Sequence, residues 1–109
     1  MITEEQIQKL TSIVVQETDA EKVYLFGSYA EGKISKDSDI DLLIVVKKNL
    51  QKETRRNLIS SLSIKTAIPE LFFPKDFKLY SVNEFDELKN DKHSFLYHIL
   101  QTSKPLYAR

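Results

Sequence analysis

The stretch FGSYAEGKISKDSDIDLLIVV, Phe26 to Val46, holds both glycines of the chain, Gly27 and Gly32, and its longest apolar run, Leu42 to Val46. Gly27 follows a short strand pattern, Lys22-Val23-Tyr24-Leu25-Phe26, and a polar loop then leads to a second strand read over Asp39 to Val46. That second segment is apolar at every position after Asp41, as expected for a strand buried on both faces. Two aspartates therefore open what should be the central strand of a sheet.

Strand side chains alternate, so Asp39 and Asp41 are expected on one face and Ile40 on the other. Two like charges about 4 Å apart repel by roughly 4 kcal/mol at an effective dielectric near ~20. A divalent cation between them reverses the sign, and oxygen ligands suit Mg²⁺, which pairs carboxylates with substrate phosphates. The plainer alternative is that Asp39 caps a turn and Asp41 sits exposed at a strand edge. Gly27-Ser28 carries a similar pair of readings. A glycine directly after a strand lets a ligand approach the backbone, and free amides at such a turn attract anions; it can also be a simple turn. If the loop folds back, Gly27-Ser28 lies beside Asp39 and Asp41, which makes a metal–triphosphate site.

Outward from this stretch, the pattern is one domain over residues 1–109. Thr3 to Gln6 form a capping-box signature, with Ile7, Leu10 and Val14 at helical spacing, so a helix is expected over about 4–17. A second helix is expected from about Leu50 to Thr66. A third strand is expected over Phe77 to Ser81, with Asp76 at its start, and two final helices over Asn83–Asn90 and Ser94–Thr102. Phe95, Leu96, Ile99 and Leu100 are read as the inner stripe of the last. The fold class is α/β (α+β): a small mixed sheet flanked by helices.

Composition narrows the function. Lys plus Arg equals Asp plus Glu at 16 each, which argues against a nucleic-acid binder working by bulk charge. No cysteine is present, so there is no disulfide framework and no thiolate metal site. No apolar run approaches the ~20 residues of a membrane span, and MITEEQIQKL resembles neither a signal nor a transit peptide. A cytoplasmic protein is the expectation. His93 and His98, five apart, do not match a helical metal pair. Lys33 and Lys36 fit either substrate contact or ordinary loop solvation.

Gly27-Ser28, ten residues, then Asp39-Ile40-Asp41 resembles the signature of the nucleotidyltransferases of the DNA polymerase β-like superfamily. The fuller segment GSYAEGKISKDSDIDLL resembles the minimal nucleotidyltransferases (MNT), antitoxin partners of HEPN-domain toxins. More loosely, SVNEFDELKN and SFLYHILQTSKPLY are similar to the helical tail that closes those domains. Glu31 departs from the pattern, since many members carry a basic residue there.

The resemblance implies that Gly27 and Ser28 hold the β and γ phosphates of a nucleoside triphosphate. It implies two Mg²⁺ ions on Asp39 and Asp41, with a third carboxylate from a neighbouring strand. ATP would be the substrate, and AMP would pass to a hydroxyl, a tyrosine of a HEPN toxin, with pyrophosphate leaving. For the third carboxylate, a helical crossover makes the strands starting near Asp39 and Asp76 parallel neighbours. Asp76, Lys78 and Tyr80 would then share the polar side. The rivals are Glu70, which precedes Pro74, and Glu84, which fits a helix start; Asp76 can also be read as a turn residue after Pro74. A complex or oligomer is expected, with the acceptor side open. The alternatives are a binding module that neutralises its partner by occlusion without catalysis, and transfer to a small molecule or a nucleic acid end.

Overall fold

The computed structural model describes residues 2–109. Helix α1, Glu4–Thr18, starts at Thr3, whose side chain accepts from the Gln6 amide while the Gln6 side chain accepts from the Thr3 amide. This reciprocal cap satisfies donors that a helix start leaves open. Leu10 and Val14 are the fully buried apolar residues of α1. The helix stops at Asp19, which turns left-handed at φ 53°.

Strand β1, Lys22–Phe26, is followed by the one-turn helix α2, Ser28–Glu31, and by strand β2, Ile40–Val46. Helix α3, Lys52–Lys65, and a 3-10 turn at Pro69–Leu71 lead into strand β3, Lys75–Ser81. Helices α4, Val82–Leu88, and α5, Phe95–Leu100, precede strand β4, Lys104–Ala108. The sheet order is β3-β2-β1-β4. β1 runs antiparallel to both β2 and β4, and β2 runs parallel to β3 across the α3 crossover. A small mixed sheet flanked by helices is the result, as the patterning predicts.

The apolar run of β2 divides by parity. Leu42, Ile44 and Val46 enter the larger core with Leu10, Val14 and Leu62, contributed by α1 and α3. Leu43 and Val45 enter a second core on the opposite face with Phe26, Phe85 and Leu96, under α4 and α5. A strand covered on both faces has no use for alternating polarity, which explains the unbroken apolar run.

Three expectations are corrected. β2 begins at Ile40, one residue later than read, because its first ladder contact is the Ile40 amide donating to the Pro74 carbonyl at 3.0 Å. Asp39 therefore stands in the loop just before the strand and not in the strand. The chain also does not close on a helical tail: after α5 it pairs with β1 as β4. Pro105 hides this strand in the sequence, since proline cannot donate to a ladder and is tolerated only at an edge, which is where β4 lies. Phe95 leaves the expected inner stripe of α5 and is 53% exposed, while Leu96 is fully buried.

Truncating Leu42, fully buried at the centre of the sheet, is expected to lower the unfolding free energy by about 2–5 kcal/mol, the range for a buried leucine replaced by alanine. Chemical denaturation of Leu42→Ala checks it; a loss under ~1 kcal/mol would mean that this face of the sheet is not the core.

Candidate active site

Four segments meet at one end of the sheet: the Gly27-Ser28 turn, Asp39, the first residues of β2 and the first residues of β3. In the ladder, Asp41 is the register partner of Phe26 on β1 and of Asp76 on β3. Adjacent strands lie about 4.8 Å apart and partner side chains share a face. Asp41 and Asp76 are thus neighbours by register, which no local pattern could dictate. Both are half-buried. They lie on the same face as Leu43 and Val45, beyond the end of the second core.

Gly27 is shaped by its neighbour. It has φ 75° and ψ −152°, a conformation open almost only to glycine. A Cβ there would collide with Oδ2 of Asp41 and lie 3.2 Å from its Cγ. The missing side chain therefore leaves the space that the Asp41 carboxylate fills. Ser28 is the first residue of α2, whose first amides have no acceptor within the helix. Gly32, at φ 73°, ends that turn and receives no such contact.

Charge accumulates around Asp41. Burial pushes its carboxyl up from 3.8 to about 6, and the negative charges of Asp39 and then Asp76 push the same way, against a smaller pull from Lys78. Lys78 also pairs with Asp76 at 3.4 Å, through side chains that are each about half exposed. Sequence reading put Lys78 on this face by parity with Asp76 but gave it no role. Among the described residues no three histidine, cysteine or acidic side chains are grouped so that together they could hold a metal ion. The donors still suit a hard cation: carboxylate oxygens only, with Asp41 held against its charged form by two like neighbours.

The two rival carboxylates are engaged elsewhere. Glu70 lies in the 3-10 turn and pairs with Lys9 of α1 at 3.4 Å. Glu84 closes the α4 cap on the Ser81 amide at 2.8 Å and is clamped by Arg55, at 3.0 Å to Oε1 and 2.8 Å to Oε2. Burial works to raise its carboxyl, but bonds from Ser81 and Arg55 outweigh it and the net shift is downward. Lys33 reaches Glu31 at 3.7 Å in solvent, and His98 packs edge-on to Tyr97.

The sequence profile described as Polymerase beta, Nucleotidyltransferase matches residues 8–109, and the chain belongs to that family. No curated protein sequence matches it. A crystal structure of a candidate nucleotidyltransferase from Sulfolobus solfataricus superposes with TM-score 0.60 at 26% identity, covering 97% of this chain and 86% of that one. A toxin–antitoxin structure with AMP-PNP gives TM-score 0.58 at 19% identity over 94% and 73% of the two chains. A structure of the tri-AMPylated Shewanella oneidensis HEPN toxin in complex with MNT antitoxin gives TM-score 0.55 at 17% identity over 97% and 72%. At those two identities the likeness speaks for the fold. Among the described residues, no helix is long and apolar enough to cross a membrane.

Two outcomes test the site. Because the folded Asp41 holds its proton up to about pH 6 and the free side chain releases it near 3.8, the native state binds more protons between those values. Stability without divalent cations should therefore fall as pH rises from about 4 to about 6, relative to Asp41→Asn, which lacks this contribution. Paired thermal melts across that window check it, and parallel curves would refute it. Gly27→Ala should lose about 1–3 kcal/mol of stability from backbone strain. Denaturant titration reads the loss, and an unchanged midpoint would contradict the assigned backbone.

Proposed function

We propose that the protein is a Mg²⁺-dependent nucleotidyltransferase, a single domain over residues 1–109, that moves AMP from ATP to a hydroxyl group on a partner protein and so acts as an antitoxin. The observation that carries this reading is the register of β2 and β3, with Asp41 against Asp76, and Gly27 yielding its Cβ space to Asp41. Support comes also from the fold shared with a toxin–antitoxin structure containing AMP-PNP and with the MNT antitoxin complex of an AMPylated HEPN toxin. A tyrosine hydroxyl of a HEPN-domain toxin is the acceptor that this reading favours.

In this mechanism the Gly27-Ser28 turn binds the β and γ phosphates through backbone amides and the serine hydroxyl. Asp39, Asp41 and Asp76 are the residues that would hold Mg²⁺. Bound there, two such ions would stabilise charge on the attacking and leaving oxygens of an in-line displacement. Asp76 helps to take the proton from the acceptor hydroxyl. The acceptor oxygen forms a bond to the α phosphorus as the bond to the bridging oxygen breaks, and pyrophosphate leaves with that electron pair. The carboxylates hold the reactants in place, which is where most of the advantage in phosphoryl transfer arises.

The experiment is incubation with α-labelled ATP, Mg²⁺ and a HEPN-domain partner. Label should appear on the partner and fall at least about a hundredfold in Asp39→Ala, Asp41→Ala and Asp76→Ala, a loss typical for removal of one electrostatic stabiliser. Glu70→Gln and Glu84→Gln should retain it. Neutralisation of the partner with no label, unchanged in those alanine variants, would replace catalysis by occlusion. Label on a small molecule or a nucleic acid end would move the acceptor.

A further inference from the structure

Among the described residues, the large exposed apolar side chains are Ile34, Ile64, Phe72 and Phe95. Ile34 and Phe72 line one cleft with Tyr29 and Phe73, two residues that pack on the larger core and so belong to the far face of the sheet. Phe95 is different. Its ring meets Phe26 edge-on at 6.2 Å, with planes 84° apart. Phe26 belongs to the second core and is the register partner of Asp41. Partner side chains in a ladder stand side by side on one face. A single ring, that of Phe26, therefore separates the exposed face of Phe95 from the carboxylate site.

The fold does not require an aromatic there. Leu96 anchors α5 at full burial, with Ile99 and Leu100 packed beside it, while Phe95 stays 53% exposed. α4 and α5 pack over Leu43 and Val45 of β2, and Phe95, through Phe26, reaches the end of the sheet where Phe26 pairs with Asp41. A nucleotide held by its phosphates at Gly27-Ser28 leaves its base free to meet an aromatic surface, and of the exposed aromatic rings Phe72 and Phe95, only Phe95 lies on the carboxylate face. Base–aromatic stacking uses the ring face and tolerates any base.

We propose that Phe95 is the stacking platform for the nucleobase of the bound nucleoside triphosphate. The proposal rests on the nucleotide-binding reading above and adds to it a residue outside the Gly–Ser and aspartate motif. The ring positions the substrate and takes no part in bond making.

Equilibrium binding of Mg–ATP and of Mg–tripolyphosphate, which has phosphates but no base, tests it. Phe95→Ala should weaken ATP roughly 5- to 150-fold, the size of one lost base–aromatic stack, and leave tripolyphosphate within about twofold. Phe95→Leu, which keeps apolar contact with Phe26 and removes the aromatic face, should behave as Phe95→Ala, and Phe95→Tyr should keep wild-type affinity for ATP. Unchanged ATP binding in Phe95→Leu overturns the proposal, as does an equal loss for both ligands, which would make Phe95 a support for the phosphate site. If the wild-type protein binds neither ligand, the nucleotide reading itself fails, a result distinct from either of those.

Discussion

Asp41 sits half-buried between Phe26 and Asp76 in the ladder, with the Gly27 turn against its carboxylate and Asp39 just ahead of it in the chain. Burial and two negative neighbours all oppose its ionisation. A chain selected for stability alone would place an apolar residue at this point, because like charges in a partly dry site repel strongly. Much of the surrounding architecture makes sense as support for this unfavourable arrangement. β2 is buried on both faces over its remaining length, so two separate cores hold its N-terminal end in position. The in-register parallel pairing with β3 leaves Asp76 no choice of neighbour.

The same constraint accounts for Gly27. Its backbone lies where other residues are strained, and its missing Cβ is the space that Asp41 uses. Sequence reading assigned that glycine to close approach by a ligand. The nearest group in the structure is a carboxylate of the chain itself. The two roles are compatible, since one turn can present amides outward and leave room for Asp41 behind. In this member of the polymerase β-type nucleotidyltransferase family, the glycine turn and the Asp41 carboxylate are thus joined by one direct contact.

Legibility differed from element to element. The capping box of α1 and the run in β2 were readable because helix caps and apolar periodicity are local properties of the chain. Strand β4 was not, because Pro105 and its short length resemble a loop until β1 offers its free edge. Helical spacing places Phe95 in the core, but a helix of six residues has too few turns to fix which side of its first residue is covered. Sequence position favours Asp76 but leaves Glu70 and Glu84 as rivals; their engagement with Lys9 and with Arg55 is visible only through long-range contacts.

By itself, the sequence determined α1, β1, β2, α3, β3, α4 and α5 but not the one-turn helix α2 or strand β4, together with the motif Gly27-Ser28 with Asp39 and Asp41 and the parity that aligns Asp76 with Lys78 and Tyr80. Those follow from side-chain periodicity and turn chemistry, which act over a few residues. Tertiary structure alone decided the exact register that sets Asp76 against Asp41 in the strand pair the crossover predicts, that Asp41 occupies the space beside Gly27, and that Phe95 rests on Phe26. The physical reason is register: the side chains that meet across a ladder depend on how strands remote in sequence align, and that alignment is set by the whole core.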